Sequence, residues 1–329
     1  MNSYGRLFKV SVFGESHGIQ IGVVIDGCPA GMNLSEDDFK NDLARRQAGE
    51  KGTTPRREPD LPNILSGVYN GKTTGAPVTV VFENTNIKSG DYSNLTDMPR
   101  PGHADFTGQK KFGGYNDPRG GGHFSGRLTL CIVAAGVIAK KIVSPSEICA
   151  TLIEAGGDSD IRSAVDKAVN EKDSIGGIIE CRCVNVSAGI GEPFFDSAEA
   201  MISHMIFSVP ATKGIEFGSG FASSRMKGSQ HNDVIVDESG KTKTNYSGGI
   251  NGGITNGNDL IFRVAIKPAS SISIPQETFN FKSGKVETLE IKGRHDSCIA
   301  LRAPVVIECA TAIAMADLML TAQLRKRIF

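Results

Sequence analysis

The sequence predicts one mixed α/β domain, in which helices and strands share one core. Three observations predict it. Of the 329 residues, 39% are apolar, which is enough to bury a large core. Short β-branched segments are interspersed with helical ones along the whole chain. No repeat of fixed period and no clear linker divides the chain, so we expect a single domain over residues 1–329.

Strands are predicted where runs rich in Val and Ile end at a residue that favours turns. The turn Asn70-Gly71 favours a hairpin between two of these strands. Cys181 and Cys183 lie two residues apart in another, so both point to one face and indicate ordinary packing. In chain order, the predicted strands span residues 7–13, 21–26, 64–69, 77–82, 178–186 and 260–266.

Helices are predicted from apolar spacing and from the residues at their ends. Ser35 begins the capping sequence S-E-D-D, and the basic end of that helix suits its dipole. Ser125 is a candidate N-cap for a helix that is apolar on all sides and therefore buried. Pro304 stands near the start of the last helix. The predicted helices span residues 35–46, 128–142, 198–207 and 305–324.

Two long segments lack regular periodicity. Residues 47–62 are polar, basic and rich in Gly and Pro, and they predict a mobile loop in which Gly49 and Gly52 suit a lid. Residues 84–122 contain the sequences RPGHAD and DPRGGG. Because long irregular segments of compact proteins are more often functional than idle, we expect this one to contribute to a site.

Composition argues against several classes of protein. The 36 Lys and Arg balance 36 Asp and Glu, whereas proteins that bind nucleic acid usually carry a basic excess. No apolar run of secretory type and no run of 18 apolar residues is present. Seven cysteines without a C-x-x-C pair fit a reducing compartment. We therefore expect a cytoplasmic protein that binds neither nucleic acid nor a membrane.

Histidines in loops are the first candidates for chemistry. His17 lies in GESHG, His103 in RPGHAD and His295 in RHD. An imidazole titrates near neutral pH and can pass protons, although a loop histidine is often only a hydrogen-bonding residue. No H-x-x-x-H or H-x-x-E-H spacing indicates a metal site, so none is predicted.

Glycine-rich turns beside cations are the second candidates. The run Gly120–Gly122 leads to a buried helix, so it either offers backbone N–H groups to a phosphate or forms a tight packing turn. It matches neither a P-loop nor G-x-G-x-x-G. The run Ser247–Gly257 allows close approach of a ligand or forms a bulged hairpin. Lys267–Ser271 places one cation and two hydroxyls after a strand. These residues predict a polyanion-binding enzyme with histidine acid–base chemistry, and they do not reveal its cofactor or reaction.

The motifs taken together resemble the chorismate synthase family. They occur in the family's order and cover most of the chain, so the set is specific although each motif alone is weak. The main matching segments are GESHG at 14–18, TTPRREPD at 53–60, RPGHADFT at 100–107, RGGG at 119–122, AAGVIAKK at 134–141, GEPFFD at 191–196, MKGSQHND at 226–233, KPASSI at 267–272 and GRHDSC at 293–298.

The resemblance implies a fold of the α+β class, a β-α-β sandwich that is usually assembled as a homotetramer. It also implies a lyase of the shikimate pathway. The implied reaction is the anti-1,4-elimination of phosphate from 5-enolpyruvylshikimate 3-phosphate to give chorismate. The implied cofactor is reduced FMN (FMNH2), with no net redox change. Either the chain reduces its own flavin with NADPH, or a separate flavin reductase is its partner.

Carried over to this sequence, the resemblance implies three catalytic residues. His17 is expected to protonate the departing phosphate, His103 to protonate or stabilise the reduced flavin, and Asp296 to accept the ring proton near flavin N5. Contacts to FMN are expected from His123, Phe124, Ser125, Pro210, Ala211, Gly252, Lys267, Pro268, Ala269, Ser270, Ser271 and Arg294.

Arginines complete the implied site. Arg46 matches a position associated with NADPH, and the candidates for binding substrate anions are Arg45, Arg119 and Arg127. The family usually has RGGGR-S-S-A-R where this chain has RGGGH-F-S-G-R. One cation near the flavin is therefore weakened at His123, and Phe124 is a candidate for stacking on the flavin ring. Residues 142–173 form a shorter region than the family norm.

Two other functions are compatible with the same residues. A flavin oxidoreductase could use similar phosphate-binding turns, and flavin oxidation in step with turnover would identify it. A non-catalytic module that binds anions or RNA could use the basic loops. Zero net charge and sparse aromatic residues argue against that module.

Overall fold

The structure is a computed structural model, and it describes residues 2–54, 58–85, 95–291 and 295–324. It has three layers, in which two antiparallel sheets enclose a layer of helices. The predicted α+β class is confirmed, and so is the β-α-β sandwich.

The helices and strands have the following bounds. The α-helices are α1 (Lys40–Arg46), α2 (Asp105–Phe112), α3 (Thr129–Val143), α4 (Ile161–Glu171), α5 (Ala198–Ile206), α6 (Gly228–His231) and α7 (Pro304–Leu324). The strands are β1 (Ser3–Tyr4), β2 (Lys9–Gly14), β3 (Gln20–Asp26), β4 (Asn63–Ser66), β5 (Val68–Tyr69), β6 (Lys72–Thr73), β7 (Val78–Glu83), β8 (Glu147–Ala155), β9 (Gly177–Val184), β10 (Thr212–Phe217), β11 (Ile250–Asn251), β12 (Ile254–Thr255), β13 (Leu260–Ile266), β14 (Gln276–Asn280) and β15 (Lys285–Leu289).

The first sheet has the strand order β1-β2-β3-β7-β4. Val23 of β3 is paired with Val12 of β2 on one side and with Val80 of β7 on the other. Ile21, Val23 and Ile25 alternate along β3 and are fully buried, as expected for the face that packs on helices. Because β2 ends at Gly14, the loop that carries His17 emerges at one end of this sheet.

The second sheet has the strand order β10-β13-β9-β8. Phe262 of β13 is paired with Cys181 of β9, and both side chains are fully buried. Cys183 is buried on the same face of β9, which confirms the predicted packing of the two cysteines. Strand β13 ends at Ile266, so the loop beginning at Lys267 lies at the end of this sheet.

Helices α3 and α7 pack along each other between the two sheets. Gly136 in the middle of α3 permits this approach, because a Cβ there would overlap Cys309 of α7. By length and composition, the segment Pro304–Gln323 could cross a membrane, with a mean hydropathy of 1.8. However, 78% of it is buried inside the protein, which is typical of the core helix of a globular fold.

Most predicted elements are confirmed to within a few residues at each end. The exception among the strands is the hairpin at Asn70-Gly71. This turn closes the short pair β5–β6, whereas β4 pairs with β7 and is interrupted by a bulge between Ile64 and Ser66. The turn at Asn70-Gly71 was therefore predicted correctly, but the strands that it joins are β5 and β6, and β4 pairs with β7 instead.

Several elements were missed, among them α2, α4, β8, β10 and the β14–β15 hairpin. Helix α2 is polar and lies in the segment predicted to be irregular, so it had no apolar period to reveal it. Strand β8 and helix α4 fill the region that was considered short. A signal for α4 was present, because Asp160 is its N-cap and accepts a hydrogen bond from the backbone N–H of Ser163 at 3.1 Å.

Candidate active site

A large cavity of about 860 Å³ opens between the helical layer and several loops, among the described residues. Its size suits a cofactor together with a small substrate. The predicted site residues on its wall are Arg46, His103, His123, Phe124, Ser125, Arg127, Pro210, Ala211, Lys267, Pro268, Ala269, Ser270, Ser271 and Asp296. Segments far apart in sequence therefore converge here.

His103 is held by two charged neighbours on one wall. Its Nδ1 lies 2.7 Å from Oδ1 of Asp105, the first residue of α2. Arg100 binds both oxygens of Asp105, through Nε at 2.7 Å and Nη2 at 2.8 Å. Burial opposes ionisation of Asp105, but the hydrogen bonds from Arg100 and His103 outweigh it and hold its pKa well below the usual range.

The glycine turn that precedes α3 lies between the two candidate histidines, His17 and His103. Gly120 and Gly121 have φ values of +59° and +82°, the left-handed conformation that favours glycine. A Cβ at Gly120 would overlap the ring of His17, and one at Gly121 would lie 3.5 Å from Cε1 of His103. His17 is 4% exposed and lies behind Gly120, which itself lines the cavity. One turn therefore contacts both imidazoles.

Arg46 and Arg127 form a buried pair on another wall, with Asp60 between them. Arg127 Nη1 lies 2.9 Å from one oxygen of Asp60, and Arg46 Nη1 lies 3.4 Å from the other. Arg46 also donates from Nε to the hydroxyl of Thr129 at 2.9 Å. Burial, reinforced by the charge of Arg302, lowers the pKa of Arg46 to about 10. Asp60 is thus the counter-ion of the pair.

Asp296 lies at the junction of the 47–62 loop and the start of α7. Its Oδ1 accepts a hydrogen bond from the backbone N–H of Thr54 at 2.9 Å and contacts Arg302 Nη1 at 3.2 Å. Gly52 O accepts from the backbone N–H groups of Ser297 and Cys298. The described part of the loop that was predicted to be mobile is therefore tied to the segment carrying Asp296.

The loop after β13 supplies a cation and hydroxyl groups. Lys267 Nζ donates to Gly102 O and, at 3.0 Å, to the hydroxyl of Ser270. The hydroxyl of Ser271 accepts from Arg100 Nη1 at 3.0 Å. Burial and then the nearby charge of Lys213 lower the pKa of Lys267. This loop and the His103 segment thus form one hydrogen-bonded unit.

The unusual pair His123 and Phe124 follows the glycine turn. His123 Nδ1 is 2.8 Å from Gly14 O, and its Nε2 is 3.2 Å from Oδ1 of Asn2. The ring therefore ties the glycine turn to the end of β2. Phe124 is 38% exposed and lines the cavity, so its ring is available to a ligand.

Several predicted site residues lie elsewhere. Arg45 does not line the cavity, because its guanidinium binds Glu308 at 2.6 and 2.7 Å on the other side of α1. Arg119 is also outside and pairs with Asp117 at 2.7 Å. Gly252 lies in the β11–β12 hairpin, away from the cavity wall. These positions do not support the ligand-binding roles predicted for Arg45, Arg119 and Gly252. Arg294 lies outside the described residues.

The sequence analysis had assigned no specific role to four residues of the site: Asp60, Arg100, Asp105 and Arg302. The two arginines stand beside or near Pro, a setting that marks them as candidate anion-binding arginines, but neither was given a specific role. Asp105 follows His103 within one motif, so its pairing was open to prediction. The feature that distinguishes Asp60 is a φ of +49°, which is rare outside glycine and cannot be read from the sequence.

The arrangement combines anion binding with proton transfer. Arginine and lysine side chains can hold phosphate and carboxylate groups, and the imidazole of His103 borders the same space. Val209, Ile299 and Val306 provide an apolar part of the wall. A planar, partly apolar and negatively charged ligand fits this distribution of groups.

Comparisons with known proteins agree with this geometry. The chorismate synthase family model matches residues 8–320. A chorismate synthase of Chitinophaga pinensis is 60% identical over 330 residues, covering 100% of this chain and 99% of the relative. One of Dehalococcoides mccartyi is 44% identical, covering 99% of each chain. A crystal structure of chorismate synthase is 26% identical and superposes with a TM-score of 0.73, covering 97% of this chain and 93% of that one.

The length of the chain is shared with at least one relative. Because the Chitinophaga protein aligns over its whole length, the region at 142–173 is not peculiar to this sequence. The ordered set of motifs, the sandwich architecture and the family match all point the same way. The chain therefore belongs to the chorismate synthase family and is an enzyme of that type, a lyase.

Proposed function

We propose that this enzyme eliminates phosphate from 5-enolpyruvylshikimate 3-phosphate to form chorismate, with reduced FMN bound in the cavity and no net redox change. The observation that carries the proposal is the turn at Gly120-Gly121. It lies against His17 on one side and His103 on the other, beside a cavity lined with cationic side chains. An elimination of phosphate needs both proton donors and cations at one place.

The residues fit reduced FMN. The apolar side chains of Val209, Ile299 and Val306 suit an isoalloxazine ring, and Lys267 with the Ser270 and Ser271 hydroxyls suits a phosphate or ribityl group. Phe124 is placed to add an aromatic contact. When bound, the reduced flavin supplies transient electron density to the substrate as the C–O bond breaks.

The side chains of this chain supply the rest of the chemistry. His17 is our candidate for the acid that protonates the departing phosphate, and its burial behind Gly120 keeps it away from bulk water. His103 binds Asp105 through Nδ1, so Nε2 is the nitrogen that can exchange a proton with the flavin. Asp296 is our candidate for the carboxylate that accepts the ring proton.

Arginines are placed to stabilise the negative charge that develops on the departing phosphate. As phosphate leaves, Arg127 and Arg46 are positioned to neutralise an oxyanion on the cavity wall. Their other N–H groups are fixed by Asp60, Thr129 and backbone oxygens, so little reorganisation is needed during the reaction. Arg46 is also our candidate for NADPH binding, should the chain reduce its own flavin.

Assembly and location complete the proposal. We propose a single domain, supported by one hydrophobic core that runs from Phe8 to Leu318 and includes both sheets. We further propose a homotetramer in the cytoplasm, supported by family membership. Reduced FMN comes either from NADPH-dependent reduction by the chain or from a separate flavin reductase.

Anaerobic incubation with reduced FMN and the enolpyruvyl substrate tests the function. We expect catalytic release of phosphate and formation of chorismate, with the flavin still reduced at the end. Stoichiometric flavin oxidation would instead support the oxidoreductase. RNA binding with steep salt dependence and no turnover would support the non-catalytic module.

Substitution of His17 and His103 tests their proposed roles as acid–base groups. His17→Ala and His103→Ala are each expected to lower turnover about 10²-fold or more, the usual scale for acid–base groups. Their circular dichroism and thermal unfolding should show a retained fold. A near-normal rate in either variant would remove that residue from the mechanism. Titrating oxidised FMN with NADPH under anaerobic conditions, without added reductase, decides how the flavin is reduced.

A further inference from the structure

Asp105 has four donors around one buried carboxylate. Its Oδ2 accepts from Arg100 Nε at 2.7 Å and from the Arg100 backbone N–H at 3.1 Å. Its Oδ1 accepts from Arg100 Nη2 at 2.8 Å and lies 2.7 Å from His103 Nδ1. The side chain is 9% exposed. This number of partners exceeds what a simple surface ion pair requires.

The contacts decide which nitrogen of His103 carries a proton. A nitrogen and a carboxylate oxygen 2.7 Å apart need a hydrogen between them, and an ionised carboxylate can only accept. Nδ1 is therefore placed to donate to Asp105. Arg100 Nη2 lies 3.0 Å from the same Nδ1 and carries two hydrogens, one of which binds Asp105, so the second could donate to Nδ1 in the Nε2–H tautomer. In that tautomer the lone pair of Nδ1 would face the ionised carboxylate at 2.7 Å, which is repulsive, so the contacts favour the Nδ1–H tautomer of the neutral ring.

Asp105 is suited to orient the ring rather than to take its proton. Besides the guanidinium of Arg100, the N-terminal end of α2 favours a negative charge at this position. Arg100 is itself fixed by the hydroxyl of Ser271 at 3.0 Å. Lys267, the next cation on this wall, is bound to Gly102 O in the same segment. The carboxylate thus stays ionised whether or not His103 is charged.

We propose that Asp105 is a positioning residue for His103, and that it fixes the Nδ1–H tautomer so that Nε2 serves the ligand in the cavity. Arg100 acts one step further away by holding Asp105. That the ligand is reduced flavin rests on the proposed function, whereas the tautomer does not depend on it.

The tautomer is measured directly in the assembled protein without ligands. We expect nitrogen-15 NMR of labelled histidine at pH 8 to show His103 as Nδ1–H, with the signal assigned by its loss in His103→Gln. In Asp105→Asn, an amide N–H can face the ring, so Nδ1 becomes an acceptor and the tautomer changes to Nε2–H. In Asp196→Asn, which breaks a similar two-contact pair with Arg6 outside the cavity, the tautomer should be unchanged.

Turnover supplies the second measurement. Asp105→Asn is expected to lower kcat about 10²- to 10⁴-fold, the range found when an orienting aspartate or an acid–base group is lost. KM should change little, since a uniform loss of binding would raise KM instead. Asp196→Asn should retain kcat. A structural role alone would lower the yield and the melting temperature but leave kcat per folded enzyme unchanged.

Asp105→Glu is a second test in case Asp105→Asn does not fold, because glutamate keeps the carboxylate. It is expected to retain the Nδ1–H tautomer. The inference is overturned if wild-type His103 is Nε2–H, if Asp105→Asn leaves the tautomer unchanged, or if Asp105→Glu folds and loses it. Absence of phosphate release by the wild type would contradict the proposed function and leave the NMR result to decide the part of Asp105.

Discussion

Replacing Gly120 with alanine should displace His17 and slow phosphate release, although alanine adds only one methyl group. The new Cβ would overlap the His17 ring, and it would also lie 3.0 Å from the hydroxyl of Ser16. His17 is 4% exposed, so the ring has little room to move away. The backbone cannot relieve the overlap easily, because φ at this position is +59°.

Two effects contribute to the expected loss of stability. A left-handed backbone costs a non-glycine residue about 1–2 kcal/mol. Insertion of a methyl group into a tightly packed place costs a further ~1–3 kcal/mol. Gly114→Ala is the matched control, because its φ is +84° and no atom lies within 4 Å of the new Cβ. The difference in unfolding free energy between the two variants therefore reports the steric overlap with His17 and Ser16.

Urea unfolding and anaerobic phosphate release measure the two consequences. For Gly120→Ala we expect an unfolding free energy about 2–5 kcal/mol below wild type and a rate lower by about 10²-fold, as for the loss of an acid. Gly114→Ala should lose about 1–2 kcal/mol and keep its rate.

Combining Gly120→Ala with His17→Ala tests the cause. Because the ring is then gone, the added methyl group should cost no more stability than in Gly114→Ala, and it should slow the reaction no further. If Gly120→Ala is equally harmful with and without the His17 ring, the reasoning is refuted.

Three further predictions concern charged groups. Arg45→Met should leave KM for the substrate within about twofold while lowering stability, because buried Glu308 loses its two contacts with Arg45. The loss should stay below the ~3–5 kcal/mol of an unpaired buried charge, since Lys140 still contacts Glu308 at 3.1 Å. A large rise in KM would restore Arg45 to the substrate site. Asp317→Ala should lower the melting temperature and leave turnover per folded enzyme intact. The Asp317 carboxylate accepts hydrogen bonds from three backbone N–H groups near the N-terminus, and each buried N–H group left without a partner costs about 1–3 kcal/mol. An unchanged melting temperature would contradict this prediction. The pKa of Asp105 is lowered on folding, so its contribution to stability is full above the unfolded value of about 3.9 and is lost as the pH falls through the lower folded value. The gap in unfolding free energy between wild type and Asp105→Asn should accordingly narrow below about pH 4, and a gap that is constant with pH would contradict it.

Local chemistry explains why the elements were predictable and where prediction failed. The helix predicted at 128–142 is α3, because a long apolar run without a helix breaker favours a buried helix. Ser125, predicted as its N-cap, instead caps the 3-10 turn Gly126–Leu128 that leads into α3. Helix α2 was missed because it is held by contacts of Asp105 and its loop rather than by an apolar stripe. The Asn70-Gly71 turn was correct, yet β4 found β7 as its partner.

The candidate site shows the same division. Family motifs located His103, Arg127 and the Lys267 loop on the cavity wall without any coordinates. The same motifs also suggested Arg45 and Arg119, which the structure places in ion pairs elsewhere. Residue type and position in a motif indicate that an arginine can bind an anion. They do not indicate which way its side chain leaves the helix, and this direction separates Arg45 from Arg46.

By itself, the sequence determined the fold class, the family and the set of segments that carry chemistry, because periodicity and ordered motifs are properties of the linear chain. Only the tertiary structure decided which groups meet. Asp60 reaches Arg46 and Arg127 across 14 and 67 positions of sequence, and Arg100 reaches Ser271 across 171. Such contacts depend on the packing of both sheets against α3 and α7, and no local preference of a residue encodes them.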